Sequence, residues 1–311
     1  MDAHDDTAIW TAVRAEAAAA GWTVRAAGIA TLAQAAGRVR RAVTESGFSP
    51  EAVARIGDDL AAGPPDGLAD AASVVVGAVP RPLTRATLTV DGVQHTVAVP
   101  PHYAGYGTVP DGLTAAVRAA VAPFGRRAAR AEPPLKTLAV GTGLARYGRN
   151  NIAYVPGLGS YVQLAACVTD APPPPDARWE EPRQLDRCAG CSACMRACPT
   201  GAVLADRFVL DTARCLTWVN EDAAPFPDWV DPAWHTCAVG CLRCQQACPE
   251  NASVGLVVAP AEVFDAAESA AVLAATPAGE LPPATREKLE RCGLDYDPRL
   301  IARNLRALVP A

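Results

Sequence analysis

The chain has 311 residues and a formal net charge of −5; half of its residues are hydrophobic and a fifth are charged. That balance excludes a disordered chain, and an acidic sum without a basic stripe gives no support for a nucleic-acid partner, whose phosphates demand clustered cations. Of eleven cysteines, nine lie between Cys188 and Cys248, which excludes a secreted disulfide scaffold, small and with cysteines spread along it, and points to metal.

In chain order, Ala8–Ala19 carries a helical pattern and 22–29 reads as a short strand behind a turn at Gly21. Helices are expected over 29–46 and 50–62, the second stopped by Gly63-Pro64-Pro65. Ala72–Val79 suits a buried strand, and Ala86–Val99 reads as a hairpin turning at Asp91-Gly92. A helix-rich stretch over Asp111–Arg130, whose Arg126, Arg127 and Arg130 are read as a solvated helix end, leads to a predicted strand at Thr137–Val140. Tyr161–Val168 alternates like another strand. Ala171-Pro-Pro-Pro-Pro-Asp176 is expected to be a stiff linker marking a domain boundary. From Ala259 onward the chain reads as helical, with an amphipathic stretch over 300–308 packing back on the body.

These elements predict an α+β protein: an α/β domain over 1–180, a ferredoxin-type domain over 181–257 and a helical extension over 258–311. The acidic N-terminus carries no secretory pattern, and the longest apolar stretch, Ala71–Pro80, is too short to span a bilayer. A cytoplasmic monomer without a membrane partner is therefore expected.

The first cysteine motif is Cys188-x2-Cys191-x2-Cys194-x3-Cys198-Pro199. This is bacterial-ferredoxin spacing, in which three thiolates hold one 4Fe–4S cluster and the fourth ligates the other. Paired CxxC motifs also bind zinc, but four cysteines at this spacing followed by proline favour iron–sulfur. The second motif, Cys241-x2-Cys244-x3-Cys248-Pro249, lacks a leading cysteine because Ala238 stands there. Cross-ligation gives a first cluster on Cys188, Cys191, Cys194 and Cys248. The second takes Cys198, Cys241, Cys244 and either Cys215 or Cys237. Cys167 and Cys292 read as packed thiols.

Around the motifs, Trp218, Trp229 and Trp234 are expected to shield the second cluster from water, and His235 to cap or hydrogen-bond beside it. The loop Val99–Tyr106 gathers His102, Tyr103 and Tyr106, groups that can donate protons or line a flat cofactor; an ordinary surface loop is the alternative. Gly141, Gly143 and Gly148 fail the dinucleotide fingerprint, because Arg146 occupies its third glycine position. They read as a loop whose amides contact a cofactor tail or phosphate, or as a tight turn.

Several segments in order resemble the epoxyqueuosine reductases and their relatives, the corrinoid reductive dehalogenases. Leu138–Asn150 is similar to the family's A-G-L-G-x-x-G-K-N stretch, and Gly159-Ser160 precedes an apolar strand as in the family. The first cysteine motif with Pro199-Thr-Gly-Ala202, then Arg214-Cys215-Leu-Thr, then Gly240-Cys241 through Cys248-Pro249 complete the match. The resemblance implies base-off cobalamin over the first domain, near Gly141, Gly143, Arg146, Gly148, Asn150, Gly159 and Ser160. It also implies Cys215 as the ligand completing the second cluster. Two departures stand out. The family's catalytic aspartate has no counterpart in Ala129–Lys136, where Glu132 is the nearest acid, and the long tail that helps hold tRNA is short here. The expectation is an iron–sulfur reductase fed by a flavodoxin, ferredoxin or similar donor and acting on another substrate. A ferredoxin-like carrier without corrinoid, and a tRNA queuosine-modification enzyme proper, are the alternatives.

Overall fold

Helix α1 (Ala3–Ala19) opens the computed structural model, which describes residues 3–45, 53–54 and 61–309. The helix buries Ile9, Trp10, Val13 and Ala17 along one face, the three-to-four-residue recurrence of an amphipathic helix. The expected strand and helix that follow are β1 (Thr23–Gly28) and α2 (Thr31–Glu45). The helix expected over 50–62 lies largely outside the described residues.

Strand β2 (Ser73–Pro80) is followed by the predicted hairpin, β3 (Leu83–Val90) and β4 (Val93–Val99). Asp91 and Gly92 both have positive φ, 49° and 79°, the backbone that lets a two-residue turn follow the strands' twist. Helix α3 (Val109–Val121) ends before Arg130, contrary to the expected helix-rich stretch: Gly125 turns the chain and β5 (Ala128–Ala131) begins. The arginines there are not a solvated helix end. Arg127 pairs with Asp70 and Asp170, and Arg130 with Asp111 and Glu132.

The strand expected at Thr137–Val140 is instead helix α4 (Leu135–Gly141). A short apolar run carries no period that separates strand from buried helix. Here Pro133-Pro134 supplies a start that needs no amide donor. Short strands β6 (Arg146–Tyr147) and β7 (Ala153–Tyr154) pair with each other, and β8 (Val162–Thr169) matches the expected strand.

The chain divides into two units, Met1–Pro80 with Gly107–Cys191 and Arg81–Tyr106 with Ser192–Ala311. The first holds an antiparallel sheet in the order β1-β2-β8-β5, with α1 and α3 burying Trp10, Val13, Leu113 and Val117 in its core. Its division differs from the expected 1–180, and the proline stretch is not a linker. Ala171 is fully buried, its carbonyl accepts from Ser73 Oγ at 2.7 Å, and Pro172 O accepts from Trp10 Nε1 at 2.9 Å.

The second unit takes in the β3–β4 hairpin. Short helices α5 (Ala193–Ala197), α6 (Leu216–Asn220), α7 (Arg243–Gln246) and α8 (Pro249–Ala252) carry the cysteine region. The expectation of helix directly after Ala259 is corrected by β9 (Val258–Phe264), which pairs parallel with β3. Helices α9 (Ala266–Leu273), α10 (Pro283–Cys292) and α11 (Pro298–Leu308) follow. They are no separate extension, because Phe264, Val272, Leu289, Ile301 and Leu305 share one core with Leu88 and Val97 of the hairpin. No helix among the described residues is long and apolar enough to cross a membrane.

Candidate iron–sulfur centre and the loop beside it

The first cysteine motif folds as tight turns. Cys188 lies in a single 3-10 turn, the Cys191 amide donates to Cys188 O at 3.4 Å, Cys194 is buried on α5, and Cys198 ends that helix. Cys198 Sγ lies 3.4 Å from Thr200 Oγ1, and Thr200 O accepts from Arg214 Nε at 2.8 Å. The Asp211 amide also donates to Ala202 O at 3.0 Å. The Arg214-Cys215 segment is thereby tied to the end of the first motif.

Cys215 caps α6, and the amides of Thr217 and Trp218 hydrogen-bond its sulfur. Burial nevertheless pushes its thiol up, and the neighbouring Cys198 adds to the push. Burial likewise carries Cys241 up to about 12, assisted by Cys237, Cys215 and Cys198, with the Arg243 amide opposing. Cys198, Cys215 and Cys237 therefore all lie within electrostatic reach of Cys241, and Cys198 within reach of Cys215. Cys237 is almost fully buried and pushed up by that burial, with its sulfur 3.7 Å from Thr236 Oγ1. Among the described residues no three Cys, His, Asp or Glu side chains converge closely enough to hold a single metal ion.

The second motif is clamped by residues that spacing alone did not reveal. Asn304 of α11 donates to Asn220 O and Ala238 O, both at 2.9 Å, and Asn220 donates to Gly240 O at 2.8 Å. Gly240 has φ +64°, and a Cβ there would strike the Tyr103 ring. Tyr103, from the loop Val99–Tyr106, is buried and donates to Glu221 Oε1; burial and the Glu221 carboxylate hold its phenol well above the usual range. Tyr106 of the same loop is exposed.

Trp234 and Phe226 pack with Cys241 against Leu216, Val219 and Val230. Trp229 is more exposed and stacks under Arg214. His235 does not form the expected hydrogen bond. Neither ring nitrogen has a partner among the described residues, and the ring packs on Phe226 with centroids 4.6 Å apart. Burial and the Arg303 cation keep it below the usual imidazole range.

In the first unit, the segment 180–188 runs along the glycine loop: Glu180 N donates to Gly141 O, Tyr147 N to Arg183 O and Leu185 N to Tyr147 O. Gly141 is a glycine because Trp179 covers it, and Gly148 because Asn150 and Tyr154 do. Asn150 is buried and donates to Tyr154 Oη at 3.0 Å. Gly143 and Gly159 adopt left-handed turns, Arg146 reaches Asp186 at 3.4 Å, and Ser160 is buried. The residue between the expected positions, Arg149, donates its amide to Cys188 Sγ at 3.4 Å and its guanidinium to Cys188 O at 2.7 Å. Glu132 is an exposed carboxylate paired with Arg130 at 2.7 Å.

Residues 187–251 match the model of a 4Fe-4S double cluster binding domain. An epoxyqueuosine reductase from Bacillus cereus is 34% identical over 86 residues, a stretch that covers 28% of this chain and 21% of that relative. The chain thus aligns with about a fifth of the length of this relative. Among solved structures, epoxyqueuosine reductase from Bacillus subtilis, with its catalytic loop swung out of the active site, superposes with a TM-score of 0.65 at 19% identity over 99% of this chain and 82% of that one. An epoxyqueuosine reductase solved with a modified tRNA stem loop gives 0.65 at 18% identity, covering 99% and 81%. The chain carries a double 4Fe–4S cluster binding domain within an epoxyqueuosine reductase-like fold.

Proposed function

We propose that this protein is an oxidoreductase that passes low-potential electrons through two 4Fe–4S clusters, one on Cys188, Cys191, Cys194 and Cys248 and the other on Cys198, Cys215, Cys241 and Cys244. The observation that carries this reading is the match of residues 187–251 to a double 4Fe-4S cluster binding domain, together with the tie of the Arg214-Cys215 segment to Cys198 through Thr200, which brings thiols from separate segments together. Gathering such groups without a cation is costly to their thiolate forms, and binding iron both neutralises them and releases their protons. Cys215 is preferred to Cys237 because it lies within reach of both Cys198 and Cys241 and is tied to the first motif through Arg214. A flavodoxin, ferredoxin or similar reductase would supply the electrons.

Cobalamin is the acceptor implied by the resemblance, and the shared fold supports it. Gly141 and Gly148 offer such a group no open face, because Trp179 and Tyr154 cover them. A ferredoxin-like carrier without corrinoid is the second reading. Glu132, exposed and ion-paired, is poorly placed as the buried proton donor that epoxide reduction needs, which supports a substrate other than epoxyqueuosine.

Anaerobic reconstitution should give roughly eight iron and eight sulfide per chain; iron near four, or stoichiometric zinc, would remove the two-cluster reading. Mixing the reduced protein with cob(II)alamin then separates acceptor from carrier. A changed cobalt EPR signal supports the corrinoid, and an unchanged signal with full iron leaves the carrier.

A further inference from the structure

The turn that carries Arg149 is hydrogen-bonded at several points. Gly148 N donates to Ile152 O at 2.8 Å, Asn151 N donates to Gly148 O at 3.0 Å, and Lys136 Nζ reaches Asn151 O at 3.1 Å. Buried Asn150 anchors the turn to Tyr154, and Asn151 accepts a left-handed φ of 58°. The result is one residue presented to Cys188 by two routes, a backbone amide on the sulfur and a half-buried cation on the carbonyl.

We infer that Arg149 is a positioning residue that, acting through Cys188, sets the reduction potential of the first cluster. The inference rests on the reading of Cys188 as a ligand of that cluster. Reduction adds negative charge to the cluster and its thiolates. A donor on the sulfur and a fixed cation beside the ligand both favour the reduced form, and hydrogen bonds to sulfur are a recognised lever on cluster potential. A guanidinium suits the position because its planar fork can hold a carbonyl while its charge cannot be lost. The amide bond survives any substitution except proline, so side-chain variants isolate the charge.

The test is an EPR-monitored redox titration of the reconstituted full chain, compared with Arg149→Gln and Arg149→Lys, each with iron and sulfide counted. In Arg149→Gln the equilibrium constant for reducing one cluster should fall about tenfold, 59 mV for a one-electron couple, while the other cluster keeps its potential. Arg149→Lys, which retains the charge, should restore most of the shift. Full iron content with both potentials unmoved in Arg149→Gln overturns the inference, as does an equal shift of both clusters. Loss of iron in Arg149→Gln and Arg149→Lys alike would also overturn it, showing that Arg149 is scaffold alone. Cys188→Ser guards the underlying reading: if that variant keeps both clusters with unchanged spectra, the ligand assignment has failed, an outcome distinct from an intact ligand whose arginine has no effect.

Discussion

Gly240→Ala is the substitution whose cost the structure states most directly. Gly240 holds φ +64° immediately before Cys241, and the face where a Cβ would sit is filled by the Tyr103 ring. The left-handed backbone costs an alanine about 1–2 kcal/mol, and forcing a methyl against a buried ring adds about 1–3 kcal/mol. A total near 3 kcal/mol lowers the melting temperature by about 6–12 °C for a unit of this size. Because Gly240 adjoins Cys241, iron content should fall with it. Thermal unfolding by circular dichroism, with iron counted on the same samples, measures both. Tyr103→Ala removes the ring, so in the double variant the steric part of the Gly240 penalty disappears and the backbone part remains. A cycle with about 1–3 kcal/mol of coupling is the expected outcome. Single variants whose effects simply add, or a Gly240→Ala protein as stable and as iron-rich as the parent, would refute the packing argument.

Cys215→Ala should lose one cluster by Mössbauer and iron count while Cys237→Ala keeps both; the reverse pattern would transfer the ligand role to Cys237. Cys167 and Cys292, buried and pushed up to about 12, should resist iodoacetamide at pH 8 in the folded protein, and modification at the rate of an exposed thiol would contradict that burial. The sign for stability follows: the unfolded chain releases these protons first, near pH 8.5, so their contribution is full below that pH and is lost as pH rises toward 12. Asn304→Ala strands the buried carbonyls of Asn220 and Ala238, and should cost about 2–4 kcal/mol, read as a lower melting temperature; a neutral result would mean water replaces the amide.

The cysteine spacings were legible because ligand geometry is local: two- and three-residue gaps encode a turn whatever surrounds them. The hairpin at Asp91-Gly92 was legible for the same reason. What escaped was set by partners distant in sequence. Leu135–Gly141 has too few residues to display a period, and its neighbours decided for helix. The Ala171–Asp176 prolines look like a linker until Trp10 and Ser73 are seen to bond them. Asn304, Tyr103 and Arg149 bond to groups far along the chain, Ala238 O, the Glu221 carboxylate and Cys188 Sγ, a relation that no spacing records. The chain from Ala259 onward reads as helix until β3 supplies the ladder of Val258–Phe264.

That last pairing bears on how the protein is made. Strand β3 leaves the ribosome about 170 residues before β9, its parallel neighbour, and at ordinary synthesis rates the delay is about 10–35 s. Throughout it the hairpin presents an unsatisfied β3 edge, together with apolar Ala86 and Leu88, which are later buried beneath the C-terminal helices. Open edges of this kind recruit other strands. Nascent chains stalled before Val258 should therefore be the aggregation-prone species, and chaperone demand should concentrate in the interval between the first and last strands of this sheet.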